Sequence, residues 1–79
     1  MKVPRSVNGI DFANHLIRRW HFVELRQTGS HIIVRTETPS RRTLSIPAHK
    51  PLRSGTFQDL LDDVAHHKGL SREDVLRDL

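Results

Sequence analysis

The chain has 79 residues, 35% of them hydrophobic, and a formal charge of +4 at pH 7, which suits one domain spanning 1–79 with one modest core. There is no cysteine, so disulfides, thiolate metal ligands and a thiol nucleophile are all excluded. The chain's start lacks the apolar run of a signal peptide, and no stretch approaches the roughly 20 apolar residues of a membrane helix, so a cytoplasmic protein with no membrane contact is expected.

Ser6 or Asn8 can cap a first helix over about residues 9–20, where Phe12, Ala13, Leu16, Ile17 and Trp20 recur at helical spacing. Strand formers over 22–27, punctuation at Thr28-Gly29 and the β-branched run Ile32-Ile33-Val34 predict a hairpin whose second strand covers 30–37. After the turn Thr38-Pro39-Ser40, residues 42–46 alternate, with Leu44 and Ile46 on one face and Thr43 and Ser45 on the other; Pro47 ends this third strand. Residues 47–55, with two prolines and a glycine, form a basic loop. Ser54 can cap a second helix, with Phe57, Leu60, Leu61 and Val64 inward and Asp59, Asp62 and Asp63 outward. Gly69 stops it, and Ser71-Arg72-Glu73-Asp74 has the form of a capping box before a short last helix with Val75, Leu76 and Leu79 inward. The expected class is α+β: helix, three-stranded antiparallel sheet, helix, short C-terminal helix. The sheet buries one face against the helices and leaves the other open.

Charge is unevenly distributed. Residues 1–53 hold ten Lys/Arg against three Asp/Glu, and 54–79 hold three against six. Ten of the thirteen cations are arginines, whose planar fork can hold a phosphate through two hydrogen bonds. A polyanion is the natural ligand for the basic part, although a solvated basic surface has the same composition.

On the second strand, alternation sends Ile32 and Val34 to one side and His31, Ile33 and Arg35 to the other. An accessible imidazole titrates near neutral pH, as a general base or acid for phosphodiester cleavage requires, and Arg35 can supply positive charge. The spacing alone fits an ordinary surface histidine better than a catalytic one. His49 and Lys50, in the loop after the third strand, can reach a bound phosphate or be merely solvated. His66 and His67 suit the helix dipole better than a shared metal ion, and His15 and His21 match no zinc motif. No metal site and no cofactor is expected. Trp20 belongs to the core, and the chain has no tyrosine and only three phenylalanines, so stacking of single-stranded bases has little support. A helix-turn-helix over 56–76 would aim Glu73 and Asp74 at DNA phosphates, which argues against it.

The run Gln27-Thr28-Gly29-Ser30-His31, the strand leading to Arg35, then Ser45-Ile46-Pro47-Ala48-His49, Leu52, Gly55-Thr56 and Lys68-Gly69-Leu70-Ser71 together resemble the HicA toxin family over nearly the whole chain. The resemblance implies a fold like that of double-stranded-RNA-binding domains and a metal-independent endoribonuclease that cuts mRNA, the toxin of a type II toxin–antitoxin system. It implies that His31 is catalytic and that a HicB-type antitoxin neutralises the protein, which would be a monomer when free and a hetero-oligomer with its antitoxin. Ser30, Arg35, Arg42, His49 and Lys50 are the candidate RNA contacts. Lys50-Pro51 stands where some members have glycine, and Ile32 where a polar residue or second histidine is common. The alternative is a non-catalytic RNA-binding module that uses His31 only as a contact.

Overall fold

The computed structural model describes residues 6–79. Its elements are α1 (Gly9–Arg19), β1 (Val23–Thr28), β2 (His31–Thr36), β3 (Arg42–Pro47), α2 (Ser54–Lys68) and α3 (Arg72–Leu76). The α+β order expected from the sequence is the observed one.

Alternation along the strands decides which face is covered. Ile32, Val34 and Thr36 of β2 and Leu44 and Ile46 of β3 are buried, while His31, Thr43 and Ser45 are exposed. The strands lie in the order β1-β2-β3, all antiparallel. Phe12, Ala13 and Leu16 of α1 and Phe57, Leu61, Val64 and Ala65 of α2 close over the inner face. Phe12 and Phe57 meet edge to face, their centroids 5.3 Å apart. Each fully buried Leu, Ile or Phe side chain contributes about 1.5–3 kcal/mol by leaving water. In a chain this short, that small set of side chains carries most of the stability.

The hairpin turn is set by its length. Thr28 pairs with His31, which leaves Gly29-Ser30 as a two-residue connection. Gly29 has φ +59, the conformation that a type II′ turn asks of its first central residue and that glycine adopts without a Cβ penalty. Further along, the β1–β2 register slips by one residue between Glu24 and Arg26. Glu24 therefore faces the inward-pointing Val34, and Val23 instead of Glu24 stands opposite Arg35. This β-bulge removes a carboxylate from the open face.

Several local expectations are corrected. α1 ends at Arg19, and Trp20 caps it; its indole N–H donates to the Val75 carbonyl at 3.0 Å. Asn8 is the N-cap but makes no side-chain cap bond; its side-chain amide donates to Asp11 Oδ2 at 3.5 Å, and the Gly9 amide is taken by the His49 carbonyl at 2.9 Å. Helix α2 is capped by Arg53 and begins at Ser54, since the Arg53 carbonyl already accepts the Phe57 amide at 2.8 Å. Leu79 is 41% exposed; the chain turns away at Asp78, φ +68. Strand β1 is exposed along its whole length, because the helices cover only β2 and β3. The capping box is as expected: Ser71 Oγ accepts from the Asp74 amide and the Asp74 carboxylate from the Ser71 amide.

Apolar periodicity gives His15 no place in the core, yet the residue is fully buried. Its Nε2 faces the Val75 carbonyl, so Nε2 carries the proton and donates, while Nδ1 has no partner. His15 and Trp20 thus converge on one carbonyl of α3. Lys68, at the end of α2, donates to Thr36 Oγ1 (2.8 Å) and to the Thr38 carbonyl (2.7 Å) and lies 5.2 Å from the centre of the Phe22 ring. Burial lowers its pKa. No helix among the described residues is long and apolar enough to cross a membrane.

Candidate functional site

His31 opens β2 directly after the turn, on the uncovered face, and is exposed. Its neighbours follow from the register. Thr28 stands opposite on β1 and Pro47 opposite on β3; further along the same face, Ile33 is flanked by Arg26 and Ser45. The Ala48 amide donates to the Ser30 carbonyl at 2.6 Å. A bond between the residues just outside the His31–Pro47 pair marks that pair as a non-hydrogen-bonded one, in which side chains approach more closely. It also explains how a proline fits a strand: its nitrogen faces away from β2, where no ladder bond is lost.

The loop 48–53 is held by three backbone bonds. Ala48 is tied to Ser30, the His49 carbonyl accepts the Gly9 amide (2.9 Å), and the Leu52 amide donates to the Val7 carbonyl (2.8 Å). Leu52 is buried and anchors the loop from below, whereas His49, Lys50 and Arg53 are exposed. The loop therefore joins the turn of the β1–β2 hairpin to the start of α1, with its charged side chains exposed to solvent. Of the residues expected from the sequence, Ser30 adjoins His31 and is tied to Ala48, and His49 and Lys50 follow Ala48 in the exposed loop.

The two expected arginines lie further away. Arg35 shares the open face but lies four residues further along β2, about 13 Å from His31 at strand spacing. Its Nε is 2.9 Å from Glu37 Oε2 without the alignment of a hydrogen bond, and Arg41 reaches the same carboxylate at 3.1 Å. Arg42 pairs with Thr36 across the sheet, on the helix-facing side. It donates from Nε and Nη2 to the two Asp63 oxygens of α2, at 2.9 and 2.6 Å, and those bonds raise its pKa.

Arg26, opposite Ile33 on the face of His31, and Arg53, at the end of the loop, are further exposed cations, and sequence reasoning missed both. No ion pair to Arg26, Lys50 or Arg53 occurs among the described residues. The signal for Arg26 was present: a two-residue turn fixes Thr28 opposite His31 and hence the strand residues that follow it. For Arg53 there was none, because its place depends on how the loop is tied down.

Among the described residues, no group of three or more His, Asp or Glu side chains stands together as a metal site. The described aromatic side chains lie in or against the core, and none is on the open sheet face. The depression lined by Ser6, Val7, Asp11, Asn14, Arg18 and Leu79 does not include His31. An open face bearing dispersed cations fits the backbone of a long polyanion better than it fits a small molecule. Comparison with family models, curated proteins and solved structures gave no match.

Proposed function

We propose that the protein is a metal-independent RNA endonuclease of the toxin type, acting on mRNA in the cytoplasm and neutralised by a small antitoxin of the HicB type. The observation that supports this reading best is the exposed His31 imidazole at the head of β2, beside Ser30, with Arg26 on the same sheet face and Lys50 in the exposed loop after β3, neither of them in an ion pair among the described residues. In such a reaction an imidazole takes the proton of the ribose 2′-hydroxyl, the 2′-oxygen attacks phosphorus, and the 5′-oxygen departs. Guanidinium and ammonium groups stabilise the charge that gathers on the phosphoryl oxygens. The requirement for a 2′-hydroxyl makes RNA the substrate. The antitoxin would cover the same basic face with an acidic surface, and the free protein would be a monomer.

The test is cleavage of mRNA by purified protein in excess chelator, wild type beside His31→Ala, with circular dichroism to verify the fold of the variant. Cleavage by wild type and its loss in a folded His31→Ala supports the reading. Equal cleavage by both removes His31 from the chemistry, and RNA binding by wild type without cleavage leaves a non-catalytic RNA-binding module.

A further inference from the structure

Cleavage through a 2′-oxygen attack needs two proton transfers, and a single imidazole accounts for one. The leaving 5′-oxygen must also be protonated, from the opposite side of the phosphorus, because attack and departure are in line. Of the five other histidines, His15 is buried beneath α3 with Nε2 on the Val75 carbonyl. His67 is bonded to the Ser40 carbonyl and His66 is beside it at the end of α2. His21 lies in a depression with Val23, Arg35, Glu37 and Thr38, at the other end of the sheet. His49 alone lies in the segment that directly follows Pro47, the residue paired with His31.

The backbone sets the place of that segment. His31 faces Pro47 across the sheet, and the Ala48–Ser30 bond of 2.6 Å continues the ladder one step beyond that pair. Alternation continued two residues past Pro47 would set His49 diagonal to His31, at a Cα separation of about 7–8 Å for regular strands. The His49 carbonyl is pinned by the Gly9 amide at 2.9 Å, while its side chain is exposed. Two ring nitrogens roughly 7–9 Å apart bracket an in-line axis of attacking oxygen, phosphorus and leaving oxygen with a hydrogen bond at each end. Two imidazoles on such a diagonal have that reach. Lys50 is a poorer candidate, since a primary ammonium is in general a weaker acid than an imidazolium.

We infer that His49 is a second catalytic residue, the general acid that protonates the departing 5′-oxygen while His31 acts as base; this rests on the endonuclease reading above. His31 removes the 2′-hydroxyl proton, and the 2′-oxygen uses that electron pair to bond phosphorus. The P–O5′ bond breaks, its pair stays on the 5′-oxygen, and the proton of the His49 imidazolium completes a 5′-hydroxyl end. The products are that end and a 2′,3′-cyclic phosphate. His31 finishes protonated and His49 neutral, and exchange with water restores both.

The experiment compares an RNA oligonucleotide with its bridging 5′-phosphorothiolate analogue, whose thiolate leaving group needs no proton. His49→Ala is expected to slow cleavage of the oxygen-linked strand by about 10²–10⁴-fold at saturating RNA. On the sulfur-linked strand its rate should return to within about tenfold of wild type, whereas His31→Ala stays inactive on both. Wild type that cleaves neither strand overturns the endonuclease reading and this assignment with it. If wild type cleaves, three results overturn the role of His49 alone: an undiminished rate in His49→Ala on the oxygen-linked strand, an equal loss on both strands, or rescue of His31→Ala in its place.

Discussion

Gly9 lies so close to Pro47 that a Cβ built on it would stand 1.7 Å from the Pro47 carbonyl oxygen. The start of α1 is thus packed directly against the end of β3, and the loop bearing His49 is fastened at the same place by the Gly9 amide. The clash would be with backbone, so no rotamer change relieves it. Gly9→Ala should destabilise the fold by about 2–3 kcal/mol through forced backbone displacement. Gly55, where an added Cβ would meet nothing within 4 Å and φ is ordinary, is the control: Gly55→Ala should be neutral or stabilise by about 0.4–1 kcal/mol. Urea unfolding of both variants checks the pair, and equal destabilisation by the two would contradict it.

The Val75 carbonyl takes two side-chain donors, His15 Nε2 and Trp20 Nε1. Removing either leaves the other in place, and removing both orphans a buried acceptor. A double-mutant cycle with His15→Leu and Trp20→Phe should therefore show a double variant less stable than additivity by about 1 kcal/mol. Strict additivity in the denaturation midpoints would mean that the two bonds are independent.

Arg26 and Lys50 are free of ion pairs among the described residues, and Arg42 is bound to Asp63. Neutralising Arg26 or Lys50 should weaken RNA binding and lower the dependence of log K on log salt by about 1 each. Arg42→Ala should leave that slope unchanged. Filter binding across a salt series, using RNA with 2′-deoxy linkages, reads all three; a lower slope in Arg42→Ala would place that residue on RNA after all.

Arg72 donates from Nε and Nη2 to Asp62 at 2.6 and 2.7 Å, joining α3 to α2. Those hydrogen bonds, helped by Coulomb attraction, hold the Asp62 carboxyl below its ordinary value of 3.8. A carboxyl with a lower pKa folded than unfolded adds stability above its unfolded value and loses it as pH falls through the folded one. Asp62→Asn should accordingly narrow its stability gap to wild type as pH drops below about 4, and added salt should narrow it at neutral pH because the pair is exposed. Thermal melts from pH 3 to 7 test this; a gap that widens on acidification would be the opposite sign.

His21 follows the cap of α1 at φ +60, a region where a Cβ is unfavourable and where helices commonly place glycine. His21→Gly should raise stability by about 0.5–1 kcal/mol, provided the imidazole makes no compensating contact. A fall in melting temperature would show that it does.

Element order and face are legible in the chain itself. Period-3.6 spacing of Phe12, Leu16, Phe57, Leu61 and Val64, period-2 alternation around Ile32, Val34, Leu44 and Ile46, and the capping box at Ser71 are local signals, each expressed within a few residues. The exposure of His31 follows from the same alternation. What sequence could not supply depends on contacts between distant segments. The burial of His15 depends on where α3 docks, the engagement of Arg42 on the nearness of α2, and the placing of His49 on bonds from Ser30 and Gly9. Alternation also fails to foresee a bulge, so the removal of Glu24 from the open face was invisible to it. Side-chain periodicity tells which way a residue points from its own strand or helix, whereas the distance between two residues far apart in the chain is settled only when the elements pack.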